Sequence, residues 1–507
     1  MKKRMQRLTS IGLCFILALT VLAVSAPVEA KADKGYTYNY DFWGDTQYSP
    51  DAYDVAGVFT ANNLGLETKL LKPSGLFVYG DDIYIADTGN NRIVVLKRTA
   101  IDQMEVTRII DTIKTPHVDI PTALNQPMDM AVSDDGYLYI ADYGNCRIVK
   151  VGLENLNYVC EFTKPLDATF DQSLEFRPKK IAIDTAGRVY CVAENVNKGL
   201  IKYEADTTFT GFVGANKVTY NFLDYIWKKL ATQAQRAKME NFVPTEYANL
   251  YMDTEGFIYV CTMSVLADDL YKGNADSMRR LNLLGNDIMV RNGEFPVIGD
   301  QWDADVPGYS GPSMMVDITA LENEVFFGLD KTRGRVFAYD DQGRMLFAFG
   351  GAGSIDGCFR VPSAIDHMGY DILVLDSQDN SLTVFTPNEF GNLVYTAIDS
   401  FKAGDYEASG NAWQEVLKLN GNYDLAYIGI GRILLQDKQY KEAMEYFELK
   451  YDEDNYSRAF KQYRKEWVED NIVIILVGLF FVLCVPLIIG KIRAVKWEID
   501  SAEIFRK

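Results

Sequence analysis

An internal repeat constrains this chain of 507 residues more than any other feature. The stretch YIADTGNNRIVVL at 84–96 returns as YIADYGNCRIVKV at 139–151. Weaker copies bring the total to six. They begin at Pro73, Pro127, Pro178, Tyr247, Pro312 and Pro362. A period of roughly fifty residues means that each copy is one supersecondary unit that must stack on its neighbours to bury its apolar side chains.

Each copy has the pattern of short β-strands. An apolar run leads through a turn, often Asp-x-x-Gly, into an alternating run such as Tyr-x-Tyr-Ile, then a polar turn and a third apolar run. A fourth run follows in five copies: VTRII, YVCEF, TGFVG, DIMVR and MLFAFG. Period-two alternation between turn residues predicts strands. Four antiparallel strands per repeat predict the blades of a β-propeller.

The sixth copy has no fourth run, because the pattern becomes helical after LTVFTP. Either YTYNYDFW or YDVAGVFT, both ahead of the first copy, would supply the missing strand. Such a strand would close the ring and leave no free sheet edge between the first and last blades. We therefore predict a mainly β fold, a six-bladed propeller over 36–387.

The copies resemble NHL repeats, most clearly in the two stretches quoted above. This resemblance covers roughly two thirds of the chain, with a propeller as the implied fold. It implies a binding platform, since most NHL propellers are platforms. A minority of related six-bladed propellers are lactonases or lyases, which leaves an enzyme as the alternative.

The polar turn recurs, and this recurrence favours a structural role for it. The same Asp and Arg positions appear in the first, second and fifth copies, as Asp87 with Arg92, Asp142 with Arg147, and Asp330 with Arg335. A catalytic group is needed once, whereas a fastener is needed in every blade. We expect the Asp to accept backbone N–H bonds in its turn and the Arg to bridge to a neighbouring blade.

Both ends of the chain have the composition of membrane segments. Residues 1–30 have a basic start, an apolar middle and a small-residue end, which predicts a signal peptide cleaved after Ala30; an uncleaved anchor is the alternative. Residues 471–490 carry no charge and match one membrane-spanning helix. Lys491, Arg493 and Lys496 follow, so we place the tail 491–507 in the cytoplasm and residues 31–470 outside the cell membrane.

The outer part is strongly acidic. With the leader and tail set aside, 42 basic and 66 acidic residues remain, a formal charge of −24. Such a surface repels phosphate backbones, so we expect no nucleic-acid partner. Its five cysteines form no disulfide framework; Cys146 and Cys160 either pair across neighbouring strands or are buried thiols. With only His117 and His367 in the whole chain, a multi-histidine metal site is excluded.

Residues 390–468 have helical periodicity. Tyr406 and Tyr440 lie 34 residues apart, as do Trp413 and Phe447. This spacing resembles tetratricopeptide repeats. We predict about two such repeats and a capping helix that leads into the span. Helix pairs of this kind often bind peptides or neighbouring helices, although a partnerless stalk has the same pattern.

Four long insertions fall on one face of the predicted propeller, at 111–126, 215–246, 264–276 and 295–311. Strand order places them beside the polar turns, so this face is the candidate binding surface. Its candidate residues are Trp227 on a predicted helix, Trp302 and Tyr309 as stacking groups for a sugar, and Asp87 and Tyr143 in the turns. Asp300, Asp303 and Asp305 are weak candidates for calcium, because their spacing differs from that of an EF-hand loop and also fits a solvated acidic loop.

The enzyme alternative needs carboxylates and an amide that converge on a metal in the central channel. Asp129, Asn249 and Asp366 start inner strands, but the matching positions in the other copies are Gly75, Lys180 and Met314. We therefore predict no catalytic residues and no cofactor. The predicted function is a membrane-anchored scaffold that engages a protein or a carbohydrate, as an accessory to a solute transporter.

Overall fold

The structure is a computed structural model. It describes residues 36–41, 43, 45–115, 122–214, 246–263, 270, 275–293, 295–300 and 312–504. The predicted signal peptide, the helix predicted within 215–246 and the side chains of Trp227, Trp302, Asp303, Asp305 and Tyr309 lie outside these residues.

The first three strands precede the first complete blade. They are β1 (Tyr36–Tyr40), β2 (Thr46–Pro50) and β3 (Tyr53–Phe59). Strands β1 and β2 pair with each other. Strand β3 joins the last blade instead, so of the two candidate closing segments it is YDVAGVFT that closes the ring.

Six antiparallel sheets follow one another along the chain. Blade 1 consists of β4 (Gly75–Tyr79), β5 (Asp82–Asp87), β6 (Arg92–Ala100) and β7 (Gln103–Ile110), and a small pair β8 (Thr112–Ile113) and β9 (Thr122–Ala123) follows it. Blade 2 consists of β10 (Pro127–Ser133), β11 (Tyr137–Asp142), β12 (Arg147–Gly152) and β13 (Tyr158–Phe162). Blade 3 consists of β14 (Pro178–Ile183), β15 (Val189–Ala193), β16 (Leu200–Tyr203) and β17 (Phe209–Val213).

Blade 4 consists of β18 (Tyr247–Met252), β19 (Ile258–Thr262) and β20 (Met278–Leu281). Blade 5 consists of β21 (Met315–Ala320), β22 (Phe326–Asp330), β23 (Arg335–Tyr339) and β24 (Met345–Gly350). Blade 6 consists of β25 (Pro362–Met368), β26 (Asp371–Asp376), β27 (Ser381–Pro387) and the N-terminal strand β3. The six-bladed propeller predicted from the repeat is therefore confirmed.

The fourth blade differs from the prediction at its outer edge. Its predicted fourth strand DIMVR forms only a bridge between Leu281 and Asp287, and the Ile288 N–H donates to the Arg280 carbonyl at 2.7 Å. The segment thus lies at the expected edge, but Gly285 and the turn around it keep it out of ladder register.

The core is distributed between neighbouring blades. Separate apolar clusters fill the spaces between blades 6 and 1, 1 and 2, 2 and 3, 3 and 4, and 4 and 5. Aromatic rings fill the space between blades 5 and 6, where Tyr53 of β3 stacks on Phe349 of β24 at 4.4 Å between centroids. The alternating strands bury both faces because each sheet is covered by a neighbour on either side.

The polar turns need a left-handed residue just before the third strand. Asn91, Cys146, Gly334 and Asn380 occupy this position with φ between 52° and 63°. Glycine and asparagine adopt this backbone readily, whereas cysteine does so at a cost. In the first copy, the position two residues earlier must be glycine because there is no room for a side chain. A Cβ on Gly89 would lie 2.5 Å from the Leu71 carbonyl oxygen.

A separate unit of five helices follows the propeller. The helices are α1 (Glu389–Ala403), α2 (Tyr406–Leu419), α3 (Asp424–Gln436), α4 (Tyr440–Leu449) and α5 (Glu453–Ile504). Each packs against the next in the sequence. Glycines on α3 receive the two aromatic residues that the spacing singled out, Trp413 of α2 against Gly429 and Phe447 of α4 against Gly431.

The last helix continues from the helical unit into the apolar segment without a break. Its 52 residues span about 78 Å at 1.5 Å per residue. Ala459 near its start packs against Phe447, whereas the apolar side chains of 472–489 are mostly exposed. Among the described residues it is the one helix long and apolar enough to cross a membrane.

The left-handed turn gives a stability prediction. Cys146→Asn should raise the free energy of unfolding by about 0.5–1 kcal/mol, because asparagine accepts positive φ more readily than cysteine. Urea denaturation of the full-length protein in detergent, followed by tryptophan fluorescence, measures it. The reverse change Asn91→Cys should destabilise by more, because it also removes the hydrogen bond that Asn91 Oδ1 accepts from the Gln126 N–H at 2.8 Å. Equal stability of Cys146→Asn and wild type would contradict the argument.

Candidate functional site

The Asp of the polar turn is a buried structural anchor. Asp87 is fully buried; its Oδ1 accepts the Leu71 N–H at 2.7 Å and its Oδ2 accepts from Arg92 Nε at 2.7 Å. Asp142 repeats the arrangement with the Asn125 N–H at 2.8 Å and Arg147 Nε at 3.0 Å. Each Asp therefore holds the link that precedes its blade against the turn within that blade.

The bridge to the next blade is made by asparagine and not by arginine as we expected. Arg92 reaches only its own turn and the link that precedes its own blade, where it donates to the Thr68 carbonyl at 3.0 Å. Asn91 Oδ1 instead accepts the Gln126 N–H of the link to blade 2 at 2.8 Å. Asn380 accepts the Lys72 N–H of the link to blade 1 at 3.0 Å. The left-handed backbone aims these side chains outward, across the blade boundary.

The fifth copy uses its arginine differently. Asp330 anchors the Met314 N–H at 2.8 Å, but Arg335 pairs with Asp300 at 3.0 Å. Asp300 is 2% exposed, and the Tyr38 hydroxyl also donates to it at 2.7 Å. This weak candidate for a calcium ligand is thus occupied by a guanidinium, and its carboxylate holds the N-terminal strand to blade 5.

Tyr143, a candidate for the binding face, joins blades 2 and 3. Its hydroxyl donates to Glu194 Oε2 at 2.8 Å, and the Arg177 guanidinium lies 5.2 Å from its ring centroid. Burial and the hydrogen bond to Glu194 raise the pKa of Tyr143. Its ring therefore already has partners within the chain.

Carboxylates surround the central channel and bind the main chain of the next blade. Asp129 Oδ2 accepts the Ile181 N–H at 2.9 Å, Asp317 Oδ2 accepts the Ile365 N–H at 2.9 Å, and Asp366 Oδ2 accepts the Val78 N–H at 2.7 Å. Inner strands have no neighbour on the axial side, so their N–H groups need acceptors there. These carboxylates supply them and link consecutive blades.

The remaining channel groups complete this ring. Asn249 Nδ2 donates to Asp317 Oδ1, which also accepts the Ile318 N–H at 2.8 Å. Lys180 Nζ lies 3.9 Å from Asp129 Oδ1 and donates to the Ser74 carbonyl at 2.9 Å. Lys180 thus supplies the positive charge of an otherwise acidic centre.

Sequence alignment of the copies misassigned two of these positions. The fifth copy places Asp317, and not Met314, beside Asp129 and Asn249, because β21 begins three residues after Pro312. In blade 6 the residue that matches Asp129 is Ala364, and Asp366 lies two residues further along β25. Counting back 13 residues from Asp142 and Asp330 would have found Asp129 and Asp317.

Burial changes the titration of two channel carboxyls. Burial raises the pKa of Asp317 to about 7, although Lys180 and the N–H donors oppose the shift. Burial likewise raises the pKa of Asp129 to about 6, against the charge of Lys180. Both groups therefore change charge near neutral pH.

These groups form the floor of a cavity of about 750 Å³. Its mouth lies among the first-to-second-strand turns of blades 2, 3 and 4, which include Asp134, Arg188 and Glu255. Tyr79 and Tyr251 line its walls. This is the face opposite the polar turns, so the described cavity does not coincide with the predicted binding face. Among the described residues, no group of three His, Cys, Asp or Glu is placed to hold a metal ion.

Comparison with known proteins supports only general statements. No family model and no curated protein matches the chain. Solved structures do match: virginiamycin B lyase from Staphylococcus aureus has 11% identity over 65% of this chain and 99% of that one, with a TM-score of 0.37. A protein of unknown function from Bacteroides thetaiotaomicron has 11% identity over 68% and 80%, with a TM-score of 0.41. Hydrazine synthase from Kuenenia stuttgartiensis has 12% identity over 72% and 99%, with a TM-score of 0.34. Similarity this distant does not transfer an activity.

The raised pKa of Asp317 gives a pH prediction. The folded state holds the proton more tightly than the unfolded chain, so this group's contribution to stability is full near pH 4 and is lost as pH rises to about 7. Asp317→Asn should therefore reduce the fall in unfolding free energy between pH 5 and 7.5 by on the order of 1–3 kcal/mol. Urea titrations at the two pH values measure the difference.

The matched variant is Asp129→Asn. It should remove a smaller part of the pH dependence of the unfolding free energy, and that part ends near pH 6. An unchanged pH dependence in Asp317→Asn would show that this carboxyl is ionised throughout the range.

Proposed function

We propose that the chain is a membrane-anchored, extracytoplasmic scaffold that engages a protein or glycan partner and assists a solute transporter. In this proposal the propeller is of the NHL type, the helical unit is tetratricopeptide-like, and helix α5 crosses the membrane with its C-terminal end in the cytoplasm. Lys491, Arg493 and Lys496 beside the apolar segment support this orientation.

The observation that carries the proposal is the use of the channel carboxylates. Oxygens of Asp129, Asp317 and Asp366 accept main-chain N–H groups of the next blade. A metal-dependent hydrolase would need such oxygens free to turn toward a metal or a substrate. Here they hold neighbouring blades together, which favours a structural role for these carboxylates over a catalytic one.

The face of the polar turns offers apolar side chains to a partner. Leu71, Leu166 and Ile355 lie in links between blades and are 46%, 93% and 75% exposed. Met263 and Met314 on the same face are also exposed. Apolar side chains on several links of one face favour a protein–protein contact.

Crosslinking in intact cells tests this proposal. A photoreactive residue on the link at 163–177 of the full-length protein should yield a defined membrane-protein adduct. The double change Leu166→Asp with Ile355→Asp should remove most of it. Leu284, 84% exposed in a turn on the opposite face, provides the control, and Leu284→Asp should leave the adduct unchanged. Equal yields from all variants would contradict partner binding by this face.

A lactonase- or lyase-like enzyme is the second candidate, favoured by one observation. Asp317 and Asp129, with pKa values raised to about 7 and about 6, form the floor of a cavity, as general acids and bases often do. Our proposal predicts no hydrolysis of sugar lactones by the full-length protein with calcium, manganese or zinc. Turnover that Asp317→Asn abolishes would establish the enzyme instead.

A further inference from the structure

Three neighbouring blades place a cation at the same register position. On the third strand of blades 2, 3 and 4, this residue lies opposite a tyrosine of the second strand. The pairs are Lys150 with Tyr139, Lys202 with Tyr190, and Arg280 with Tyr259. The equivalence allows the surroundings of one cation to be compared with those of the other two.

Blades 3 and 4 supply carboxylates for their cations and for one tyrosine. Lys202 Nζ lies 3.6 Å from Glu204, and Arg280 lies 3.4 Å from Asp253. In blade 3 the Tyr190 hydroxyl lies 3.3 Å from Asp184. Asp184 and Asp253 hold one equivalent place, the first residue of an Asp-x-x-Gly turn.

Blade 2 lacks this carboxylate. Ser133 stands in the place of Asp184 and Asp253, and its hydroxyl donates to Asp135. The Tyr139 hydroxyl is fully buried; its polar neighbour is the Lys150 ammonium, and among the described residues no carboxylate lies beside it as Asp184 lies beside Tyr190.

Lys150 is also left without an anion. It is 9% exposed, and its ammonium lies 4.0 Å from the Tyr137 ring centroid and 5.0 Å from that of Tyr139. No carboxylate of the described residues lies within 4.0 Å of it. A buried ammonium is attracted to aromatic faces, and the Tyr139 hydroxyl serves one of its three N–H groups, so two N–H groups still need acceptors.

Lys150 lines the cavity above the channel floor, so a ligand in the cavity has access to it. In blade 4 the carboxylate in the place of Ser133, Asp253, pairs with the cation, whereas in blade 3 the cation pairs with Glu204; blade 2 has neither carboxylate. A ligand carboxylate would therefore complete the same set of contacts. The volume of about 750 Å³ is in the range of small-molecule sites.

The rest of the lining defines the other end of the ligand. Asp134, Asp135 and Glu255 line the cavity near its mouth and would repel a simple anion. Lys150 would repel a simple cation, whereas the charge of Arg188 is paired with Asp184 at 2.6 Å. A molecule that carries one charge of each sign satisfies both ends.

We propose that this cavity is a binding site for a small zwitterion, an amino acid or a short peptide, whose carboxylate binds Lys150 and whose ammonium faces the acidic mouth. The site goes beyond the scaffold function and does not depend on it, because it opens on the face opposite the polar turns.

Isothermal titration of the full-length protein in nanodiscs tests the proposal. The probes are L-alanine, L-lysine and L-alanyl-L-alanine, with acetate, ethylamine and glucose as partial mimics. At least one zwitterion should bind tenfold or more tightly than acetate, ethylamine or glucose. Lys150→Met should weaken that binding at least tenfold, whereas Lys202→Met, at the same register position in blade 3, should leave it unchanged.

A second variant separates ligand binding from folding. Ser133→Asp installs the carboxylate that blades 3 and 4 possess, so it should abolish zwitterion binding while the melting temperature stays the same or rises. Three results would each overturn the proposal: no zwitterion binds, binding survives both Lys150→Met and Ser133→Asp, or glucose binds with the same dependence on Lys150.

Discussion

The pairing of Tyr53–Phe59 with Ser381–Pro387 is the contact on which the propeller depends. It joins residues more than 300 positions apart in the sequence, with Phe59 opposite Leu382 and Val55 opposite Phe385. Because every apolar cluster of the propeller lies between two blades, an open ring would expose the faces of two blades at once. The same strand carries Tyr53, whose ring packs against the phenylalanines of blade 5.

Two sets of polar contacts add to this closure. At the polar turns, buried Asp residues hold each blade to its preceding link, and Asn91 and Asn380 reach across to the next. In the channel, Asp129, Asp317 and Asp366 bind the neighbouring inner strands. Carboxylates suit both places because each oxygen accepts more than one N–H. The cost is visible at Asp317, where burial moves the pKa to about 7.

Departures from the repeat indicate function better than the repeat itself. Positions that several blades fill in the same way serve the ring, and Asp87 belongs to them because Asp142, Asp330 and Asp376 repeat it. Blade 2 departs at Ser133. As a result, the buried Lys150 ammonium and the buried Tyr139 hydroxyl have no carboxylate of the described residues beside them, and Lys150 lines a cavity. Blade 5 departs at Arg335, which turns to Asp300 and to the N-terminal strand. An internal repeat thus provides its own control for recognising unmatched groups.

The sequence alone determined the six blades, their strand order, the closing strand as one of two segments, and the apolar C-terminal helix. Local periodicity and turn chemistry decide these features, and both can be read from short stretches of consecutive residues. The tertiary structure decided which side chains meet. Asp317 was missed because Pro312 misaligned the fifth copy, and the arginine bridge was wrong because a left-handed backbone directs Asn91 outward instead. The sequence did not single out Lys150, which lies in an apolar run, because its missing carboxylate partner becomes visible only when blades 2, 3 and 4 are compared. Such contacts depend on register and on neighbouring sheets, and no single stretch of sequence contains them.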